Sequence, residues 1–162
     1  MTTYTAAVND YNTAVQVFLG RSTDEQLALL WYVYKQMGDR VTPAAPGAAA
    51  DGIAAGLYDQ VKVLPQNRQL ETMRAIAQST QQDQISREYG SLSDNTQLAF
   101  WLFLARGMDA GDIIPMPESY DLTAEGQDWL AAIETMDFET QITVLRNSVQ
   151  AMGGEPRSGA AI

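Results

Sequence analysis

Trp31 and Tyr34 stand three residues apart in the run LALLWYVY (27–34). Both rings therefore leave one side of a helix, with Leu27 and Leu30 on the adjoining turn. Trp101 heads a second group, with Leu98 about one turn before it and Met108 about two turns after. The chemistry open to such side chains is contact with a flat apolar surface, by stacking and dispersion, rather than the making of bonds. Periodicity alone allows two readings: the stripes are core packing, or they line a slot. Small residues flank both runs, in AAPGAAA and LARG, and an apolar proline loop, IIPMP, follows the second. Periodicity favours core packing, and these features leave open a slot with a lid-like element instead.

Bond-making groups are scarce. Cys and His are both at zero, which removes thiolate nucleophiles, disulfides, His proton shuttles and nearly every zinc, copper or haem site. The carboxylate pairs Asp24/Glu25 and Glu134/Asp137 suit helix N-termini and exposed faces. No Gly-rich phosphate loop follows a strand. The chain is not expected to be an enzyme. Arg146, in ITVLRNSV, is flanked by Val144, Leu145 and Val149. Its stem covers apolar surface while its head stays in water, or its guanidinium anchors a partner's carboxylates.

Positioning these side chains is a task for helices, and the sequence reads as helical almost throughout. Val8, Tyr11, Val15 and Phe18 predict a helix over 4–19. Ser22 stands three residues before Glu25, a capping-box arrangement, and Gly38 suits the C′ position of a helix from about 23 to 37. Pro43 and Pro46 break DRVTPAAPG, and Pro46 also suits the first turn of AAADGIAAGLYDQVKVL. Pro65 separates that segment from QNRQLETMRAIAQS, where Leu70, Met73 and Ile76 share a face. STQQDQISREYG includes a short helical turn. Ser93 or Asp94 caps NTQLAFWLFLARGMD, which is apolar most of the way round and so the most buried element, ended by Gly111. DIIPMPESYDL is an apolar loop that must lie against something. Thr123 caps TAEGQDWLAAIETM, and Asp137 caps FETQITVLRNSVQAMG, ended by Gly153. No stretch alternates with a two-residue period. Seven or eight helices then make one all-α domain over 1–153, with 154–162 as a tail.

The totals agree with that reading. A chain of 162 residues with 46% hydrophobic and 19% charged residues is one globular domain with a real core. Its apolar runs fall short of the ~18 to 20 residues that span a bilayer. The N-terminus lacks a basic cluster and an apolar h-region, so a soluble, intracellular, cytoplasmic protein is expected. A net charge of −10 repels phosphate backbones and anionic lipids and favours a basic partner.

The segments DEQLALLWYVYKQMG, TPAAPGAA, LAFW, IPMPESYDLT and QITVLRNSVQAMG together resemble the N-terminal domain of the orange carotenoid protein, a cyanobacterial photoprotection protein. The resemblance covers most of residues 22–153. Two-domain members continue into a C-terminal α/β sensory domain; this chain is similar to the stand-alone version, a helical carotenoid protein, and a cut-down N-terminal domain would look similar. The resemblance implies two interleaved four-helix bundles with a ketocarotenoid (canthaxanthin, echinenone or 3'-hydroxyechinenone) running through a tunnel between them. It implies that Trp31, Tyr34 and Trp101 contact rings and polyene. Leu27, Leu30, Met73, Leu98, Met108, Met116, Tyr120, Ile142 and Val149 match other tunnel positions, and Gly47 matches a small residue beside it. A polyene about 30 Å long, as long as a 20-residue helix, needs a tunnel through the whole domain.

The resemblance also gives Arg146 a role at an interdomain face and in docking to the phycobilisome, which would bring the protein to the thylakoid surface. The family often has Tyr where this chain has Leu102, and glycines where it has Ala99 and Ala105, which implies a narrower tunnel or less sliding of the pigment. Arg74 stands where two-domain members often carry Cys. The implied function is photoprotection by quenching singlet oxygen or excited antenna pigments. Phycobilisome quenching, and carriage of pigment to or from a C-terminal-domain homologue, are the alternatives within that class. A helical interaction module without pigment is the alternative outside it.

Overall fold

Among the described residues, eight helices follow one another along the chain. They are α1 (Tyr11–Leu19), α2 (Thr23–Met37), α3 (Ala48–Lys62), α4 (Gln66–Ala77), α5 (Gln84–Gly90), α6 (Asp94–Ala110), α7 (Ala124–Glu134) and α8 (Phe138–Met152). The computed structural model describes residues 11–38, 48–78, 84–117 and 120–152, and no strand occurs among them. The expected helical start before residue 11, the breaks at Pro43 and Pro46, Gly47 and the tail lie outside the described residues.

The ends of the helices follow local chemistry. The Ser22 hydroxyl accepts from Glu25 N–H, that of Ser93 from Thr96 N–H, and that of Thr123 from Gly126 N–H. Asp137 Oδ1 accepts from Thr140 N–H at 2.8 Å. Each satisfies a donor that the helix leaves open in its first turn. Gly111 closes α6 at φ 90°, a left-handed conformation that glycine adopts without strain.

The middle helices α3 to α6 pack on one another, α3 against α5 and α6 and α4 against α5. The outer helices form a second group, in which α1 lies against α7 and α8, and α2 against α7. The groups meet where α6 packs on α8 and where α2 packs on α4 and α6. One four-helix bundle is thus nested in sequence inside the other, and the fold is two interleaved four-helix bundles. As the hydrophobic pattern predicts, α6 is buried around most of its circumference, from Thr96 to Gly107.

Two buried polar side chains tie the α6–α7 connection to the helices beneath it. Gln69 is 2% exposed. It donates to the carbonyls of Lys62 (3.3 Å) and Asp112 (3.0 Å) and accepts from Ile114 N–H (2.8 Å). Glu25, also 2% exposed, accepts from the backbone N–H of Thr123 at 3.2 Å and from its hydroxyl at 2.5 Å. The capping box expected in α2 is therefore half formed. Ser22 caps the helix, but the Glu25 carboxylate crosses to the start of α7, where no side chain intervenes because residue 126 is glycine. A Cβ there would overlap the Glu25 carboxylate. Thr123→Ala removes both the α7 cap and a donor to a buried carboxylate. It should cost about 2 kcal/mol in urea unfolding, the upper end of cap losses; a loss under ~0.5 kcal/mol would contradict this joint role.

Candidate functional site

Helix α2 carries two apolar faces. Ala28 and Leu29 are sealed in the core at 0% exposure. Leu27, Leu30, Trp31 and Tyr34, spaced i, i+3, i+4, i+7, are only half-buried because they face a cavity of about 190 Å³. The cavity lies at the seam between the two bundles. From the inner bundle, α4 contributes Leu70, Met73 and Arg74, and α6 contributes Leu98, Trp101, Leu102, Leu104, Ala105 and Met108. Ile114, Pro115, Met116, Pro117 and Tyr120 of the α6–α7 connection cover it, and Leu145 of α8 closes the far wall.

The structure brings Leu27, Leu30, Trp31, Tyr34, Met73, Leu98, Trp101, Met108, Met116 and Tyr120 to this one cavity. Ile142 and Val149 lie instead in the packed core, at 7% and 0% exposure, and on α8 the lining residue is Leu145. Gly47 lies outside the described residues. Leu102 and Ala105 line the wall, whereas Ala99 is fully buried behind it. Sequence reasoning missed Val33, Met37, Leu104 and Leu145 as lining residues. Their apolar character was plain, but periodicity does not distinguish a core face from a cavity face. Ile114 and Pro115 belong to the apolar loop that the sequence required to lie against something.

Trp101 is held from behind. Its Nε1–H donates to the Tyr89 hydroxyl at 2.9 Å, and that hydroxyl donates to the Val149 carbonyl. Burial pushes the Tyr89 phenol well above its ordinary range, the Trp101 bond opposing it, so the hydroxyl stays neutral and able to donate. The rings of Tyr89, Phe100 and Trp101 meet edge to face at 5.6 to 6.2 Å, an arrangement their quadrupoles favour.

Trp31 and Tyr34 pair at 5.6 Å. The Tyr34 hydroxyl donates to Asp109 at 2.8 Å, and Lys35 Nζ reaches the same carboxylate at 3.2 Å. Lys35 also stands 5.3 Å from the Trp31 ring centre, within range of a cation–π contact. The Tyr34 hydrogen bond, then Lys35, holds the Asp109 carboxyl below the usual carboxylate range. Beyond Leu27, Arg74 grips Asp24 in a two-point pair, Nε–Oδ1 at 2.8 Å and Nη2–Oδ2 at 3.1 Å. At Tyr120, burial first and the Glu25 charge second push the phenol up.

Arg146 is engaged within its own chain. Its guanidinium donates to Asn95 Oδ1 at 3.4 Å and pairs with Asp94 Oδ2 at 3.8 Å. A carboxylate partner would have to compete with the first turn of α6 for it. Among the described residues no group of three or more His, Cys, Asp or Glu could hold a metal ion, and no helix is long and apolar enough to cross a membrane. The arrangement is built to hold an apolar body, with polar groups confined to its ends.

An all-helical domain with an apolar cavity between nested four-helix bundles defines the class. The family model "Orange carotenoid protein, N-terminal" matches residues 4–155. An orange carotenoid-binding domain-containing protein of Nostoc sp. (strain PCC 7120) is 45% identical over 142 residues, 88% of this chain and 82% of that protein. The orange carotenoid-binding protein of Limnospira maxima is 41% identical over 132 residues, 82% of this chain but 41% of that longer protein. Among solved structures, the red carotenoid protein of Anabaena (Nostoc) sp. PCC 7120 binding canthaxanthin superposes with a TM-score of 0.77 at 43% identity, covering 88% of this chain and 97% of that one. The orange carotenoid protein of the same organism, also binding canthaxanthin, gives 0.81 at 34% identity, covering 91% of this chain and 47% of that one. The chain belongs to the orange carotenoid protein N-terminal domain family.

Proposed function

We propose that this protein binds a ketocarotenoid non-covalently in the cavity between its bundles and is photoprotective, quenching singlet oxygen or excited antenna pigments. The polyene's own electronic states supply the quenching; the protein supplies binding, orientation and a dry environment. The observation that carries this reading is the convergence of Trp31, Tyr34 and Trp101 with four methionines on one apolar cavity. The canthaxanthin bound by similar proteins gives it further support.

The physics of the lining suits such a ligand. Flat rings stack against flat rings, and burial of apolar surface contributes about 25 cal/mol per Å² without any hydrogen bond. Met73, Met108 and Met116 line the cavity, and their unbranched, soft side chains can repack along the methyl-studded edge of a polyene about 30 Å long.

Trp31→Ser tests the reading. Trp31 is half-buried and faces the cavity, not the core. The variant should stay folded in far-UV circular dichroism yet bind less canthaxanthin, or bind it with a shifted visible band. Trp31 is simply structural if pigment yield and colour are untouched and the only change is a stability loss of about 3 kcal/mol or more.

A further inference from the structure

We propose that the Asp24–Arg74 ion pair is the portal through which a rod-shaped apolar ligand enters and leaves the inter-bundle cavity, end-on. The proposal rests on the ligand reading above and adds a route to it. Asp24 and Arg74 line the cavity, and the same two residues line a separate surface hollow with Ser22, Thr23 and Gln78. The pair is thus the wall that the cavity and the hollow share. Parting it joins the two.

That wall is closed by an exposed contact between the two bundles. Its side chains are 43% and 50% exposed, and an exposed ion pair is weak and screened by salt. It links the first turn of α2 to the last turn of α4, one helix from each bundle. Along α2 the cavity continues from Asp24 toward Met37, about 20 Å at the helical rise. A rod passing the pair would therefore travel along the cavity rather than across it. The Tyr34 end has an ion pair of similar exposure, Lys35–Asp109 at 52% and 42%, but adds the Tyr34 hydroxyl bond to the same carboxylate and Lys35 against the Trp31 and Tyr34 rings. The α6–α7 connection is held by the buried Gln69 and Glu25.

The test follows canthaxanthin uptake by the pigment-free full chain from phosphatidylcholine vesicles, whose zwitterionic surface adds little charge dependence of its own. The visible band of the bound pigment is recorded against time from roughly 0.01 to 1 M salt. Salt should speed uptake by the wild-type chain about two- to fivefold, the range set by an exposed ion pair. Arg74→Gln and Asp24→Asn should each load at the fast rate whatever the salt. Asp24→Arg combined with Arg74→Asp should restore slow, salt-sensitive loading. Lys62→Gln, which breaks an exposed pair with Asp112 away from the cavity, should behave as wild type.

Folding of each variant is checked by far-UV circular dichroism. Arg74→Gln and Asp24→Asn loading at the wild-type rate, with the wild-type salt response, would overturn the portal while leaving the ligand reading intact. No uptake by any variant at any salt would overturn the ligand reading and the portal with it. Uptake by Arg74→Gln but not by wild type would be the strongest support.

Discussion

Trp129→Ala is expected to lower stability by about 3–5 kcal/mol, the largest single-residue effect in the molecule. Trp129 is fully buried; its Nε1–H donates to the Ala14 carbonyl at 3.0 Å and its ring lies 5.4 Å from that of Phe18. One side chain therefore ties α7 to α1. Alanine would leave a cavity in the outer bundle and remove the bond to the Ala14 carbonyl. Against a typical domain stability of about 5–15 kcal/mol, that loss brings the protein near its folding threshold. Urea unfolding of the pigment-free chain measures it directly. Trp129 is not in the cavity wall, so whatever folded fraction remains should keep its colour. A loss below ~1 kcal/mol would show that the outer bundle is held elsewhere.

Tyr89→Phe should join a stability loss to a change of colour. The ring is retained, with its contacts to Phe100 and Trp101, but the hydroxyl that accepts from Trp101 Nε1–H is gone. A buried indole N–H left without a partner costs about 1–3 kcal/mol. The ring it belongs to forms part of the cavity wall, and its Nε1–H donates to Tyr89. A Trp101 free to tilt alters the surface against which the pigment rests. The expected outcome is an intact helical spectrum, a lower urea midpoint and a shifted visible band. An unchanged band with a lowered midpoint would confine Tyr89 to the core.

Helix boundaries were the most legible part of the sequence, because they are set by neighbours in the chain. Ser22, Thr123 and Asp137 cap as expected, Gly111 closes α6, and of the two caps considered for α6 it is Ser93 that serves. Asp94, the other, pairs instead with Arg146. Arg146, for which the sequence left open a snorkelling role or an anchor for a partner's carboxylates, pairs within the chain. What the sequence could not convey is where polar side chains go once helices pack. Glu25 has the spacing of a local cap, yet its carboxylate serves a helix that begins about a hundred residues later. Gln69 looked like one of several glutamines in a polar helix and is buried under the α6–α7 connection.

The candidate site was legible to a similar degree and for a similar reason. A stripe such as Leu27, Leu30, Trp31 and Tyr34 announces an apolar face, but not whether the face meets packed atoms or a cavity. On α2 both kinds occur side by side, with Ala28 and Leu29 sealed and Trp31 facing the open seam. Trp129 shows the converse. It sits in an amphipathic helix as the other tryptophans do, and only the packing of α7 on α1 makes it core. Resemblance to a known family narrowed the choice at α2 and α6. On α8 the cavity meets Leu145, while Ile142 and Val149 stand within the core.

The central claim is that the seam between the bundles holds a carotenoid. Its most direct test is the visible absorption spectrum of the full chain purified from a ketocarotenoid-producing host, with pigment and protein both quantified. A broad, red-shifted band with pigment in stoichiometric amount is the predicted result. A colourless protein with an intact helical spectrum would contradict it, and would leave Trp31, Tyr34 and Trp101 as packing residues around a cavity that serves some other partner.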